Sequence, residues 1–175
     1  MTPPVLKPSD EVQIDLKNHL QEMDLEITKE FTSDELCGFW TSFGDFPLLI
    51  ENRKPLKYYV VAFQITFSDE AVIKALNDYY DNLDHQFIFR LTQVLTSPLT
   101  SFVRVIDGGR ITGFTIMKSI YPFHERFSIA ELDQAIQAVV STGSVGISFL
   151  KSEMGQMALD HTPPSPKSEP GEMYE

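Results

Sequence analysis

Apolar and polar positions along this chain follow two different periods, and the switches between them divide it into elements. Val12, Leu16, Leu20 and Met23 recur at helical spacing. Ser9 stands where an N-cap is wanted, and Asp10 and Glu11 suit the positive end of a helix. The period then changes: Leu25, Ile27 and Phe31 alternate with Glu26, Thr28 and Glu30, as a half-buried strand requires. "KYYVVAFQITF" puts Tyr59, Val61, Phe63, Ile65 and Phe67 on one face, with a mildly polar other face, which predicts a central strand. A helix from Ser68 would bury Ala71, Val72, Ala75, Leu76, Tyr79 and Tyr80. "QFIFRLTQVL" reads as another strand, closed by "TSP".

Further on, "SFVRVI" and "RITGFTIMKSIY" flank Asp107-Gly108-Gly109, a strong hairpin signal, and Pro122 ends the second strand. Ile129, Leu132, Ile136, Val139 and Val140 share one face of a last helix, for which Gly143 is a fair stop. Beyond it Val145, Ile147 and Phe149 alternate like a strand, whereas Val145, Phe149 and Leu150 fit a helix continued past a kink; the helical continuation is preferred.

One phrase recurs at the switches: an aromatic residue, a hydroxyl residue, then acids. In "FTSDEL" Thr32 and Glu35 form a potential capping box with Phe31 stapled on Leu36, and "FSIAEL" repeats it with Ser128, Glu131, Phe127 and Leu132. "FSDEAV" keeps the cap, Ser68, but Ala71 removes the reciprocal arm. No glycine-rich turn precedes any of the three, so little favours a phosphate cradle and each is read as a strand-to-helix junction. The predicted order is helix, strand, short helix, strand, helix, strand, hairpin, helix. Strands joined by short turns imply an α+β protein, an antiparallel sheet with helices packed on one face. The single domain spans 9–157, between an unstructured proline-containing lead-in at 1–8 and a disordered Pro-, Ser- and Glu-rich tail at 158–175.

Composition narrows the functions. The 25 acidic residues against 14 basic ones give a net charge of -11, which repels nucleic acid, and no run of Lys and Arg exceeds "NRK" at 52–54. An acidic surface suits solubility or a basic partner. The start "MTPPVLKPSDE" lacks a signal-peptide pattern and no apolar run reaches the ~20 residues of a membrane helix, so a cytoplasmic protein without membrane contact is expected. The lone Cys37 lies among apolar neighbours and reads as a small core hydrophobe.

The element order resembles the YbjN-like family and the type III secretion chaperones that share its α+β fold. The likeness rests on "YYVVAFQITFSDEAVIKALNDYYDNLDHQFIF" as strand–helix–strand and on "SFVRVIDGGRITGFTIMKSIYPFHERFSIAELDQAIQAVV" as hairpin–helix, within residues 9–154. It implies a small acidic protein, a homodimer, that holds or regulates another protein without catalysis.

Candidate chemistry is sparse. Asp78, Asp81, Asp84 and His85 are the best metal-like group, with oxygen donors suited to Mg or Ca, but the glycine and terminal Glu of a calcium loop are missing. His124 and Glu125 could exchange protons, although such a sequence more often makes an exposed turn. The histidines never show zinc spacing, and no nucleophile elbow, P-loop or dinucleotide fingerprint occurs. No cofactor and no catalytic residue is therefore expected. Phe39, Trp40, Phe43 and Phe46 crowd into eight residues: wholly buried they are core, the commoner case, and exposed they are a docking surface, so with Tyr58 and Tyr121 they are the candidate partner-binding residues. The expected function is a non-catalytic protein-binding module, chaperone-like or regulatory. The alternatives are a small metal-dependent enzyme or a permanent subunit of an assembly.

Overall fold

The computed structural model describes residues 6–155 and 159–160. Its elements are α1 (Ser9–Glu22), β1 (Ile27–Thr32), β2 (Leu36–Phe43), β3 (Phe46–Arg53), β4 (Tyr59–Phe67), α2 (Glu70–Asp81), α3 (His85–Leu95), β5 (Ser101–Asp107), β6 (Arg110–Ile120), α4 (Ile129–Met154) and the two-residue β7 (Leu159–Asp160). Six strands form an antiparallel sheet in the order β1-β2-β3-β4-β6-β5, and β7 pairs with Thr66 and Phe67 of β4. The α+β architecture is the expected one.

The core lies on one face of that sheet. Tyr59, Val61 and Phe63 of β4 are wholly buried and Ile65 and Phe67 nearly so, as the alternation predicts. Val12, Leu16 and Leu20 of α1, Leu76 of α2, Leu91 of α3 and Ile136 of α4 join the same cluster. Apolar burial of this kind stabilises by roughly 25 cal/mol per Å². α4 runs unbroken through Gly143 to Met154, so Gly143 is not a stop. It is an approach point instead: a Cβ there would sit 2.2 Å from the Phe63 ring, and one at Gly146 would sit 2.5 Å from Leu95. The helical continuation is the form the chain takes.

Five local expectations are corrected. "QFIFRLTQVL" is helix α3: Asp84 caps it by accepting from the Phe87 N–H at 3.0 Å, and Phe87, Leu91 and Leu95 are buried at intervals of four while Phe89 is exposed. The segment after Thr32 is no helix but the β2–β3 hairpin. The Ser33 hydroxyl accepts from the N–H groups of Glu35 and Leu36, closing a turn, and both faces of Leu36–Phe43 then find apolar neighbours. β1 is bulged between Ile27 and Lys29, which sends Ile27 to the helical side and Phe31 to the other. Asp69, rather than Ser68, caps α2, accepting from the Ala71 N–H at 2.8 Å. Ser9 is the first residue of α1, and Pro8 holds the cap position.

Other junctions follow the reading. At Ser128 the Glu131 carboxylate accepts from the cap N–H at 2.9 Å. Gly108 and Gly109 both have positive φ, 56° and 78°, and close β5 on β6 with the two-residue turn that a right-handed strand twist favours. Of the lead-in expected to be unstructured, Leu6 bridges His124 and the Lys7 N–H donates to the Phe123 carbonyl at 2.9 Å. Residues 1–5 and all of the expected tail except β7 lie outside the described residues.

Gly143→Ala should destabilise the protein by about 1–3 kcal/mol through overpacking against Phe63, although alanine is the better helix former by ~1 kcal/mol. Urea unfolding measures it. Val145→Ala, at a site 54% exposed, should stay within about 0.5 kcal/mol of wild type.

Candidate functional site

The sheet face opposite the helices carries the site. Strand pairing sets its side chains in rows across the strands. One row reads Lys29, Trp40, Leu49, Ala62, Met117 and Ser101, each in direct register with the next. At strand spacing it extends about 24 Å. The adjoining row reads Phe31, Gly38, Glu51, Val60 and Ser119. Beyond it Leu36 pairs with Arg53, and the rings of Tyr58 and Tyr121 meet with centroids 6.2 Å apart. Tyr59 and Ile120 are buried on the helical side, so alternation turns their neighbours Tyr58 and Tyr121 to this face.

Trp40, Leu49 and Ala62 form a second, small apolar cluster, flanked by the half-buried Phe31 and Val60. All five are strand residues; among the described residues no helix joins them. Trp40 is 8% exposed and forms the floor of the face, while Tyr121, 54% exposed, stands at its end. Gly38 has no side chain because none fits: a Cβ would lie 2.0 Å from the Ile50 carbonyl oxygen. Its place in the row therefore stays empty between Phe31 and Glu51.

A buried polar group fixes the end of this face. Asn52, 2% exposed, donates to the carbonyls of Leu56 at 2.8 Å and Tyr58 at 2.6 Å, which ties the β3–β4 turn to the core. Cys37 Sγ lies 3.4 Å from the Tyr59 hydroxyl and 3.9 Å from Asn52 Oδ1. Burial, with the Cys37 contact second, pushes the Tyr59 phenol far above its ordinary range. All three residues are buried, none more than 2% exposed. On the open face itself, desolvation raises the Glu51 carboxyl above the usual carboxylate value, and the Arg53 charge opposes this only in part.

The candidate partner-binding residues divide between the two faces. Trp40, Tyr58 and Tyr121 share the open face. Phe39 is wholly buried on the helical side, and Phe43 and Phe46 pack on the same core, Phe46 edge-on to Phe63 at 5.4 Å. Reading β2 as a strand would have separated Phe39 from Trp40 by alternation alone. Phe31, Leu49, Val60 and Glu51 were not among the candidate binding residues; their signal lay in the same period.

The metal-like residues do not converge. Asp78 pairs with Lys74 at 2.7 Å, Asp84 caps α3, Asp81 ends α2 and His85 begins α3. Among the described residues no group of three or more His, Cys, Asp or Glu could hold a metal. His124, Glu125 and Arg126 form an exposed turn. A shallow cavity of about 250 Å³ between α2 and the end of α4 is lined by Val72, Ala75, Tyr79 and Met154. Asp69 and Glu153 also line it, the first engaged as a cap and the second paired with Arg90. No described helix is long and apolar enough to cross a membrane.

No protein-family model and no curated protein matches the chain. The fold is similar to that of an uncharacterized protein from Methanothermobacter thermautotrophicus, with TM-score 0.67 and 14% identity over 82% of this chain and 99% of that one. The first likeness shows the fold alone. E. coli YbjN aligns with TM-score 0.49 and 8% identity, over 87% of this chain and 97% of its own.

Glu51→Gln should stabilise the protein at neutral pH. A carboxyl whose folded value is raised supports the fold below the ordinary carboxylate range and loses that support as pH rises through the raised value. The gain over wild type should therefore shrink to nothing in acid, as thermal unfolding from pH 3 to 8 would report.

Proposed function

We propose that this chain is a non-catalytic protein-binding module, a regulatory or chaperone-like partner of another protein. What carries the reading is the open sheet face, where Trp40, Tyr58 and Tyr121 stand in rows with Phe31, Leu49 and Val60 above no described helix. Rigid aromatic residues give large contact area for little lost side-chain freedom, which is why binding surfaces favour them. The buried Asn52 and Tyr59 hold the tyrosine end in place before any partner arrives, and such preorganisation lowers the entropic cost of docking. The charge of -11 adds a field that steers a basic partner toward the surface.

Trp40 is the single tryptophan and lies on the floor of this face, so a docked partner should shift its emission. Capture from native extract should lose a specific protein when Tyr58 and Tyr121 are both changed to Ala, and keep it when the exposed Phe89 on α3 is changed instead. Purified, that protein should move the Trp40 emission maximum. The tyrosine variant should unfold within about 1 kcal/mol of wild type, whereas Phe39→Ala should cost ~3–5 kcal/mol. Capture that ignores the tyrosine pair, or binding without any change at Trp40, would refute the assignment of this face.

A further inference from the structure

Among the described residues the six-strand order ends in β1 at one side and β5 at the other, and these two edges are built differently. β1 carries Lys29 and Glu30, is bulged after Ile27, and is overreached from α1: Lys17 pairs with Glu30 at 2.7 Å and Gln13 donates to Glu30 and Thr32, both at 3.1 Å. Charge, bulge and side-chain cover are the devices by which proteins stop a sheet edge from pairing. β5 lacks them. Its register shift with β6 skips Thr112, a residue of β6, so the outer line of β5 runs unbulged. Ser101, Phe102, Val103, Val105 and Ile106 carry no charge, and Ile106 is 50% exposed. Two exposed charges lie in the strand: Asp107 at its turn end, and Arg104, which lies across the Tyr80 ring of α2, 5.7 Å from its centroid, on the helical side of the sheet. Alternate residues of β5 turn their N–H and C=O outward, and among the described residues no strand pairs with them.

We infer that the outer edge of β5 accepts an extended segment of a partner protein as an added antiparallel strand. The side chains along the edge specify that segment. On the helical side, Arg104 is met by an acidic residue and Phe102 by an apolar one; on the open side, Val103 and Val105 are met by β-branched residues. A second copy of this chain fits worse. Self-pairing centred on the strand sets Arg104 against its own counterpart, and each body carries a charge of -11. This edge is separate from the Trp40 face, so either surface can fail without the other.

The test uses two blocked peptides, Thr-Thr-Thr-Val-Glu-Val-Ile-Thr-Thr and the same sequence with Lys in place of Glu, with amide hydrogen exchange as readout. With the full chain, the Glu peptide should slow exchange across Ser101–Asp107 at least tenfold at saturation, and leave Ile27–Thr32 unchanged. The Lys peptide should need a several-fold higher concentration. Arg104→Glu, at an exposed position, should reverse that order, and Arg104→Gln should level it. No slowing in β5 with either peptide at millimolar concentration, slowing at β1 instead, or a peptide preference that ignores residue 104 would overturn the inference.

Discussion

The contact on which the structure turns is the seating of α4 on β4, where the Phe63 ring fills the place of a side chain at Gly143. One turn on, Gly146 leaves room for Leu95 of α3 and lies close to Ile65. Two glycines inside a helix cost about 1 kcal/mol each in helix propensity. Here they let the longest helix lie close against the central strand and draw α3 in beside it. All four helices then contribute to one continuous core, and the opposite face of the sheet is left to its own side chains.

That division sets what the molecule can do. An antiparallel sheet with one covered face normally presents a polar outer side. This one packs a tryptophan and a leucine, 8% and 4% exposed, beneath a half-buried phenylalanine and valine, with two tyrosines at the end and a half-buried carboxylate among them. Acids and histidines that read as a possible metal site along the chain are dispersed as a helix cap, an ion pair and two helix ends. Among the described residues the metal-like side chains do not converge, and the proposed binding role rests on the apolar sheet face instead. The charge of -11 works at longer range, biasing which bodies approach.

Most of the fold was legible where period and length agreed. β4, the β5–β6 hairpin and the start of α4 each carry an unmixed pattern, and each appears as read. The failures share a cause: a short local signal with two uses. The capping phrase points to Thr32 as the cap, but it is the Ser33 hydroxyl that accepts from the following N–H groups, closing a turn, and only the two-sided apolar run after it selects that turn. "QFIFRLTQVL" satisfies both periods over four residues, and the Asp84 cap with the buried triad Phe87, Leu91 and Leu95 decides for helix. The site was half legible for the same reason. Aromatic density drew attention to residues 39–46, yet the strand period that assigns Phe39 to the core and Trp40 to the surface face was hidden by the mistaken helix.

The account stands on the two faces of β4 having opposite environments, and adjacent valines test this with the least chemistry changed. Val60 and Val61 differ by one position; the first is half-buried on the open face and the second is fully buried under the helices. Each would be replaced by cysteine in a Cys37→Ala background and the folded protein exposed to a thiol reagent. Val60→Cys should label promptly under native conditions and Val61→Cys only at the rate of unfolding. Equal protection at both positions would mean that the outer face is covered, and equal labelling would mean that the helices do not seal the inner one; either result contradicts the account.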